Sequence, residues 1–133
     1  MQDAHIISVE WGCLVGRCPR PAGCNARLGP HGDEVRLRLV RLTADDGMLG
    51  CGAGCPSPTL ASAVLGTRIG DLFAPDQGVR APWRPLEYAV WDLVGTRRGQ
   101  PVYALAAALT GIPAPQPYQC AVTTLSTTSS ATA

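Results

Sequence analysis

The hydrophobic pattern of this chain changes period once, from two residues to between three and four, and that change dictates its fold class. Residues 35–43 alternate, with Val35, Leu37 and Leu39 on one side and Arg36, Arg38, Val40 and Leu42 on the other. Such alternation marks a strand with one buried face, expected here over its first half. Asp45-Asp46-Gly47 then supplies turn chemistry, and MLGCGAG at 48–54 returns as the second arm of a hairpin. Upstream, HIISVEWGCLV at 5–15 is rich in β-branched and aromatic residues and predicts a further strand, giving a small antiparallel sheet. After Pro56 and Pro58 the period lengthens. Leu60, Val64 and Leu65 predict a short helix ending at Gly66, and Ile69, Leu72 and Phe73 form an apolar cluster before the APDQG turn. Leu86, Ala89, Val90, Leu93 and Val94 form one stripe of a helix over about residues 85–98. Pro85 and Glu87 suit its start, Arg97 and Arg98 its last turn, and Gly99 its close. A last helix begins at Pro101, places Val102, Leu105, Ala106 and Leu109 on one face, and stops near Gly111. Strands first and helices after give an α+β fold, a three-stranded antiparallel sheet followed by a small helical bundle.

Several kinds of chemistry are excluded by composition. All eleven basic residues are Arg, so a Schiff base, a P-loop, a Lys general base and a Ser-x-x-Lys site have no lysine to build on. A formal net charge of +1 builds no field for nucleic acid, and no apolar run approaches the roughly 18 residues of a membrane span. The start of the chain lacks a secretory pattern, so a cytoplasmic protein is expected, its cysteines reduced and used mainly as small hydrophobes. A zinc site from Cys13, Cys18, Cys51 and Cys55 is disfavoured because none of these forms a Cys-x-x-Cys pair. Gly50, Gly52 and Gly54 precede CPSP rather than a helix start, which argues against a dinucleotide loop. A nucleophilic pair of Cys24 and His31 would need mutual reach and a third orienting group. His5, Tyr88 and Trp91 read as structural.

Two segments stand apart. Residues 16–34 (GRCPRPAGCNARLGPHGDE) are too rich in Gly and Pro for regular structure and predict a long loop, a class usually functional or disordered. Past Pro113 the chain holds one candidate strand, residues 118–124, and a small polar tail whose last nine residues are expected to be disordered. The chain therefore divides into a domain at 1–112 and a connecting segment and tail at 113–133.

PLEYAVWDLVGTRRGQPVYAL, residues 85–105, resembles the signature near the end of the N-terminal domain in the mandelate racemase and muconate lactonizing enzyme family of the enolase superfamily. Glu87, Ala89, Trp91, Asp92, Leu93, Gly95, Arg97, Gly99, Pro101, Val102, Tyr103 and Leu105 fall on that pattern in order. VRLRLVRLTADDGMLGCGAG is similar to the family's second strand, turn and third strand, except that Ala53 stands where relatives often carry Glu. The resemblance covers residues 5–110 and implies a lid that closes over the mouth of a following (β/α)₈ barrel. It also implies the parent reaction, proton abstraction α to a carboxylate with magnesium stabilising the enediolate, leading to racemisation, dehydration or cycloisomerisation. The bases and acidic metal ligands belong to the barrel. Because the sequence stops at about the first barrel strand, the chain alone is expected to be non-catalytic, with no metal site of its own. Glu87, Ala89, Trp91, Asp92, Gly95, Pro101 and Tyr103 are then structural signature residues. Loop 16–34 matches the family's loop after the first strand, making Arg17, Arg20, Asn25, Arg27 and His31 candidates to touch a carboxylate substrate; an Arg-rich surface or subunit-contact loop is the alternative. The partner is the barrel, through apolar surface around the last two helices, or else a second copy in a self-associating module that keeps the lid fold.

Overall fold

The computed structural model describes residues 4–20, 23–27, 29–30 and 32–113, with the backbone alone at Asn25 and Pro30. The candidate strand at 118–124, the polar tail and His31 lie outside the described residues. Strand β1 (Ile6–Arg17) is followed by two short strands, β2 (Cys24–Asn25) and β3 (Gly29–Pro30), and then by β4 (Glu34–Ala44) and β5 (Leu49–Ala53). The main sheet has the order β1-β4-β5 with both pairs antiparallel, as the hairpin and upstream strand predict. Its turn works through the expected residues: Gly47 takes a φ of 82°, and the Met48 N–H donates to Asp46 Oδ1 at 3.1 Å. A bulge at Ile7, between the pairs Ile6↔Ala44 and Ser8↔Thr43, lets both Ile6 and Val9 face the core despite their odd spacing.

Helix α1 (Pro58–Val64) starts at Ser57, whose hydroxyl accepts the Leu60 N–H at 3.2 Å. Then come α2 (Ile69–Leu72), the two-residue ladder of β6 (Phe73–Ala74) with β7 (Gly78–Val79), a 3₁₀ turn (Ala81–Leu86), α3 (Glu87–Arg98) and α4 (Val102–Thr110). The α-helix begins two residues after Pro85, which sits inside the 3₁₀ turn where its missing N–H is tolerated. Gly99 and Gly111 close α3 and α4 with φ of 60° and 68°. Every residue of the Leu86, Ala89, Val90, Leu93, Val94 stripe is buried. Of the α4 face only Leu105 is fully buried, because the helix meets α3 on one narrow side.

Three expectations are corrected. The buried half of β4 is the second, not the first: Val40, Leu42 and Ala44 are at most 1% exposed, whereas Val35 and Leu37 are 50% and 47% exposed. The reason is coverage. Strand β5 pairs only with Leu39–Thr43, and α3 packs on β5 and that part of β4, so the early half of β4 runs on with β1 as a two-stranded ribbon beyond the helices. Secondly, segment 16–34 is not free of regular structure. Strand β1 continues to Arg17 opposite Glu34, and Cys24–Asn25 pairs with Gly29–Pro30. Main-chain bonds need no apolar side chains, and Gly29 supplies a φ of 71° at the turn. Thirdly, the described cysteines do not serve as core hydrophobes. Cys13, Cys24, Cys51 and Cys55 are exposed and Cys18 is intermediate; they lie on the ribbon, its loop, the edge strand or, for Cys55, just past that strand, away from a core already filled by Val, Leu and Ile.

Glycine decides how closely α3 can lie on the sheet. Gly50 and Gly52 share one face of β5, and a Cβ added at Gly50 would stand 2.2 Å from the Ala89 carbonyl oxygen and 2.5 Å from Leu93 Cβ. At Gly52 it would stand 2.4 Å from Tyr88 Cβ. The Gly-x-Gly of this chain is thus a seam on which a helix backbone rests, not a phosphate cradle.

Candidate binding ribbon and docking face

The candidate loop residues hang from the end of the β1–β4 ribbon. Arg17 ends β1 opposite Glu34, and just beyond it the Cys18 N–H donates to the Asp33 carbonyl at 2.7 Å, closing the base of the loop. Arg20 lies in the following bend and is exposed. The β2–β3 ladder places Asn25 opposite Gly29, with exposed Arg27 in the turn between them, so this hairpin brings Asn25 and Arg27 together at the loop's far end. Arg17 and Arg20 belong to its base.

Two further arginines join this surface. Cross-strand partners share a face, and the pairs Cys13↔Arg38, Val15↔Arg36 and Arg17↔Glu34 follow one another along the ribbon. One face therefore carries Arg17, Arg36 and Arg38 with Glu34, and Arg36 Nε donates to Glu34 Oε1 at 2.5 Å. The signal for Arg36 and Arg38 is in the alternation at 35–43, where it reads as the solvent side of a half-buried strand. On the opposite face Arg41 Nε donates to Glu10 Oε2 at 2.6 Å. A row of guanidinium groups offers rigid, paired donors that match carboxylates.

The signature residues divide between packing and surface. Asp92 reaches from α3 to the edge strand, its Oδ2 accepting the Cys51 N–H at 2.8 Å. Arg97, in the last turn of α3, donates to Asp46 in the β4–β5 turn. Ala89 is fully buried on the glycine seam, and Gly95 is buried where a Cβ would stand 2.9 Å from the Gln100 carbonyl oxygen, so only glycine lets the α3–α4 connection pass. Trp91 packs edge-on against Phe73, ring centroids 4.8 Å apart. Pro101 sits at the N-cap of α4. Glu87 is exposed in the first turn of α3. Tyr88, Val102, Tyr103 and Ile112 are exposed as well, so large apolar side chains cluster around the last two helices. Replacing Asp92 with alanine leaves the Cys51 N–H without its charged acceptor and is expected to lower stability by about 1–2 kcal/mol in urea unfolding, with Asp92→Asn losing less.

Among the described residues no group of three His, Cys, Asp or Glu side chains could hold a metal ion. The magnesium that the resemblance implies finds no ligand set among these described residues. No described helix is long and apolar enough to cross a membrane.

No protein-family model matches the chain, and no curated protein matches it either. Solved structures do. A galacturonate dehydratase from Geobacillus sp., complexed with D-galacturonate and 5-keto-4-deoxy-D-galacturonate, is 39% identical over 79% of this chain and 29% of its own, with a TM-score of 0.69. A mandelate racemase/muconate lactonizing protein from Geobacillus sp., complexed with magnesium and tartrate, is 39% identical over 79% of this chain and 28% of its own, again at 0.69. A dipeptide epimerase from Enterococcus faecalis, 18% identical with a TM-score of 0.58 over 76% of this chain and 34% of its own, shares the fold. The chain spans less than a third of the length of the two Geobacillus proteins.

Proposed function

Because this chain carries the N-terminal domain of the mandelate racemase and muconate lactonizing enzyme family, in the enolase superfamily, we propose that it caps a (β/α)₈ barrel and helps to select that enzyme's acid substrate. The observation that carries this reading is the shared fold and 39% identity with the Geobacillus galacturonate dehydratase over 79% of the chain. Exposed Tyr88, Val102, Tyr103 and Ile112 support it, since an obligate interface is built like half of a core and this face would be completed by a barrel. In this reading residues 1–112 are the cap and 113–133 lead toward the barrel, in a cytoplasmic enzyme. The parent reaction is magnesium-assisted proton abstraction α to a carboxylate, followed by racemisation, dehydration or cycloisomerisation. Sugar acids are the favoured substrate class.

The role of the ribbon follows from its reach. It projects beyond the helices and carries Arg17, Arg20, Asn25 and Arg27 on its loop, with Arg36 and Arg38 behind them; His31 belongs to the same stretch of sequence. These residues would hold the substrate carboxylate and hydroxyls at the barrel mouth, while the barrel supplies the base and the metal. The test is a chimera in which residues 1–113 replace the corresponding domain of the Geobacillus dehydratase. It is expected to dehydrate D-galacturonate in a magnesium-dependent way. In that chimera Arg17→Ala, Arg20→Ala and Arg27→Ala are expected to raise KM for acid substrates about 10-fold or more in the combination, with kcat changed less, because they remove binding rather than chemistry. A folded chimera inactive on every sugar acid tried would refute the capping role, and unchanged KM in the triple variant would refute the ribbon's part in it.

A further inference from the structure

Among the described residues one edge of the main sheet is unpartnered along most of β1, and the geometry points to a second copy of this chain as its occupant, the two β1 strands pairing antiparallel about Cys13 into one six-stranded sheet. The direction of the edge groups follows from bonds elsewhere in the sheet. The Gly54 N–H donates to the Arg38 carbonyl at 3.1 Å and the Ala44 N–H to the Met48 carbonyl at 2.9 Å, so Arg38 and Ala44 turn their main-chain groups away from β1. Direction alternates along an antiparallel strand, so Glu34, Arg36, Val40 and Leu42 do the same. The residues opposite them on β1 are Arg17, Val15, Cys13, Trp11 and Val9, and these present N–H and C=O to the free edge. At the start of the strand such outward groups are already used: the Ile6 N–H donates to the Thr67 carbonyl and the Ile6 carbonyl accepts the Gly66 N–H. From Val9 to Val15 no described backbone group bonds to this edge, and residues 10–17 are all exposed.

The edge matches itself. Its outward residues are symmetric about Cys13, so a twofold axis there sets Trp11 against Val15 of the second copy and Val9 against its Arg17. About ten main-chain hydrogen bonds form, two for each bonded pair. On the other face the same register lays Leu14 over Gly12 of the second copy, a large side chain over a residue that has none. Trp11–Val15 is an aromatic with β-branched pairing of the kind that stabilises antiparallel strands. The features that normally protect an edge strand are missing: residues 11–16 (WGCLVG) hold no charge and no Pro, and Trp11, Leu14 and Val15 expose apolar surface on both faces. A strand from another protein would satisfy the same bonds, but it would not repeat this match of large and small residues about one point. The α3–α4 face takes no part in this pairing.

Sedimentation velocity of the reduced 133-residue chain over a concentration series is expected to show a reversible monomer–dimer equilibrium. Cys13→Pro removes an outward N–H without touching the β4 ladder and is expected to leave only monomer, with an unchanged far-UV circular dichroism spectrum. Val15→Lys places a charge on the edge and is expected to do the same. In a variant whose other cysteines are serine, Cys13 is expected to give a covalent dimer with a short bis-maleimide, whereas a variant retaining only Cys55 gives none. A chain that stays monomeric at every concentration overturns the proposal. So does a dimer that survives both edge substitutions, which would move self-association to the helical face, or a failure of the Cys13-only variant to cross-link.

Discussion

Gly50→Ala is expected to cost the domain about 3 kcal/mol, a drop in Tm of roughly 10–20 °C, from the addition of a single methyl group. The new Cβ would meet the Ala89 carbonyl oxygen and Leu93 Cβ, both anchored close to the helix backbone, so no rotamer change relieves the overlap and α3 itself must shift. That shift loosens two ties on the same helix, Asp92 to the Cys51 N–H and Arg97 to Asp46. Gly16→Ala is the control. Its Cβ meets nothing within 4 Å and its φ is ordinary, so the substitution is expected to be neutral or to stabilise by a few tenths of a kcal/mol. Thermal unfolding followed by circular dichroism checks both. Equal losses at Gly50 and Gly16 would mean that the seam does not govern how the helix sits on the sheet.

The second large effect lies on the other side of the same contact. Leu93→Ala is expected to lower stability by about 3 kcal/mol, because Leu93 is wholly buried where the seam, α3 and the sheet meet. Neither partner can move in to fill the space without disturbing the glycine contact. Denaturant unfolding should show a lower midpoint at an unchanged slope, the signature of lost stability without a change in the surface exposed. Trimming the exposed Tyr88 to alanine should cost less than 1 kcal/mol in the same assay, since its ring lies outside the core.

How much of this was legible in the sequence depends on whether the information was local. The α3 stripe was fully readable because a 3.6-residue period names its own buried face, and all five of its residues are buried. The turn at Asp45-Asp46-Gly47 was readable for the same reason, since turn chemistry resides in the turn. Alternation in β4 was a weaker guide. It gives two faces but not which end a helix will cover, and here the covered end is set by the short reach of β5. Gly50 and Gly52 were visible as a Gly-x-Gly, yet their purpose depends on Ala89 and Leu93, which lie far along the chain. On the ribbon, Arg36 and Arg38 stood outside the candidate set because only the register against Val15 and Cys13 places them beside Arg17. The exposed cysteines were missed because residue type predicts burial only on average, and none of the described ones belongs to the core cluster.

The proposed capping role requires the apolar face of α3 and α4 to be half of an interface. The direct measurement is magnesium-dependent dehydration of D-galacturonate by the chimera after Tyr88→Asp and Tyr103→Asp are introduced together. Both side chains are exposed in the domain, so the 133-residue chain should keep its Tm while the chimera loses nearly all turnover as the cap separates from the barrel. Full turnover in a chimera carrying both aspartates would contradict the account.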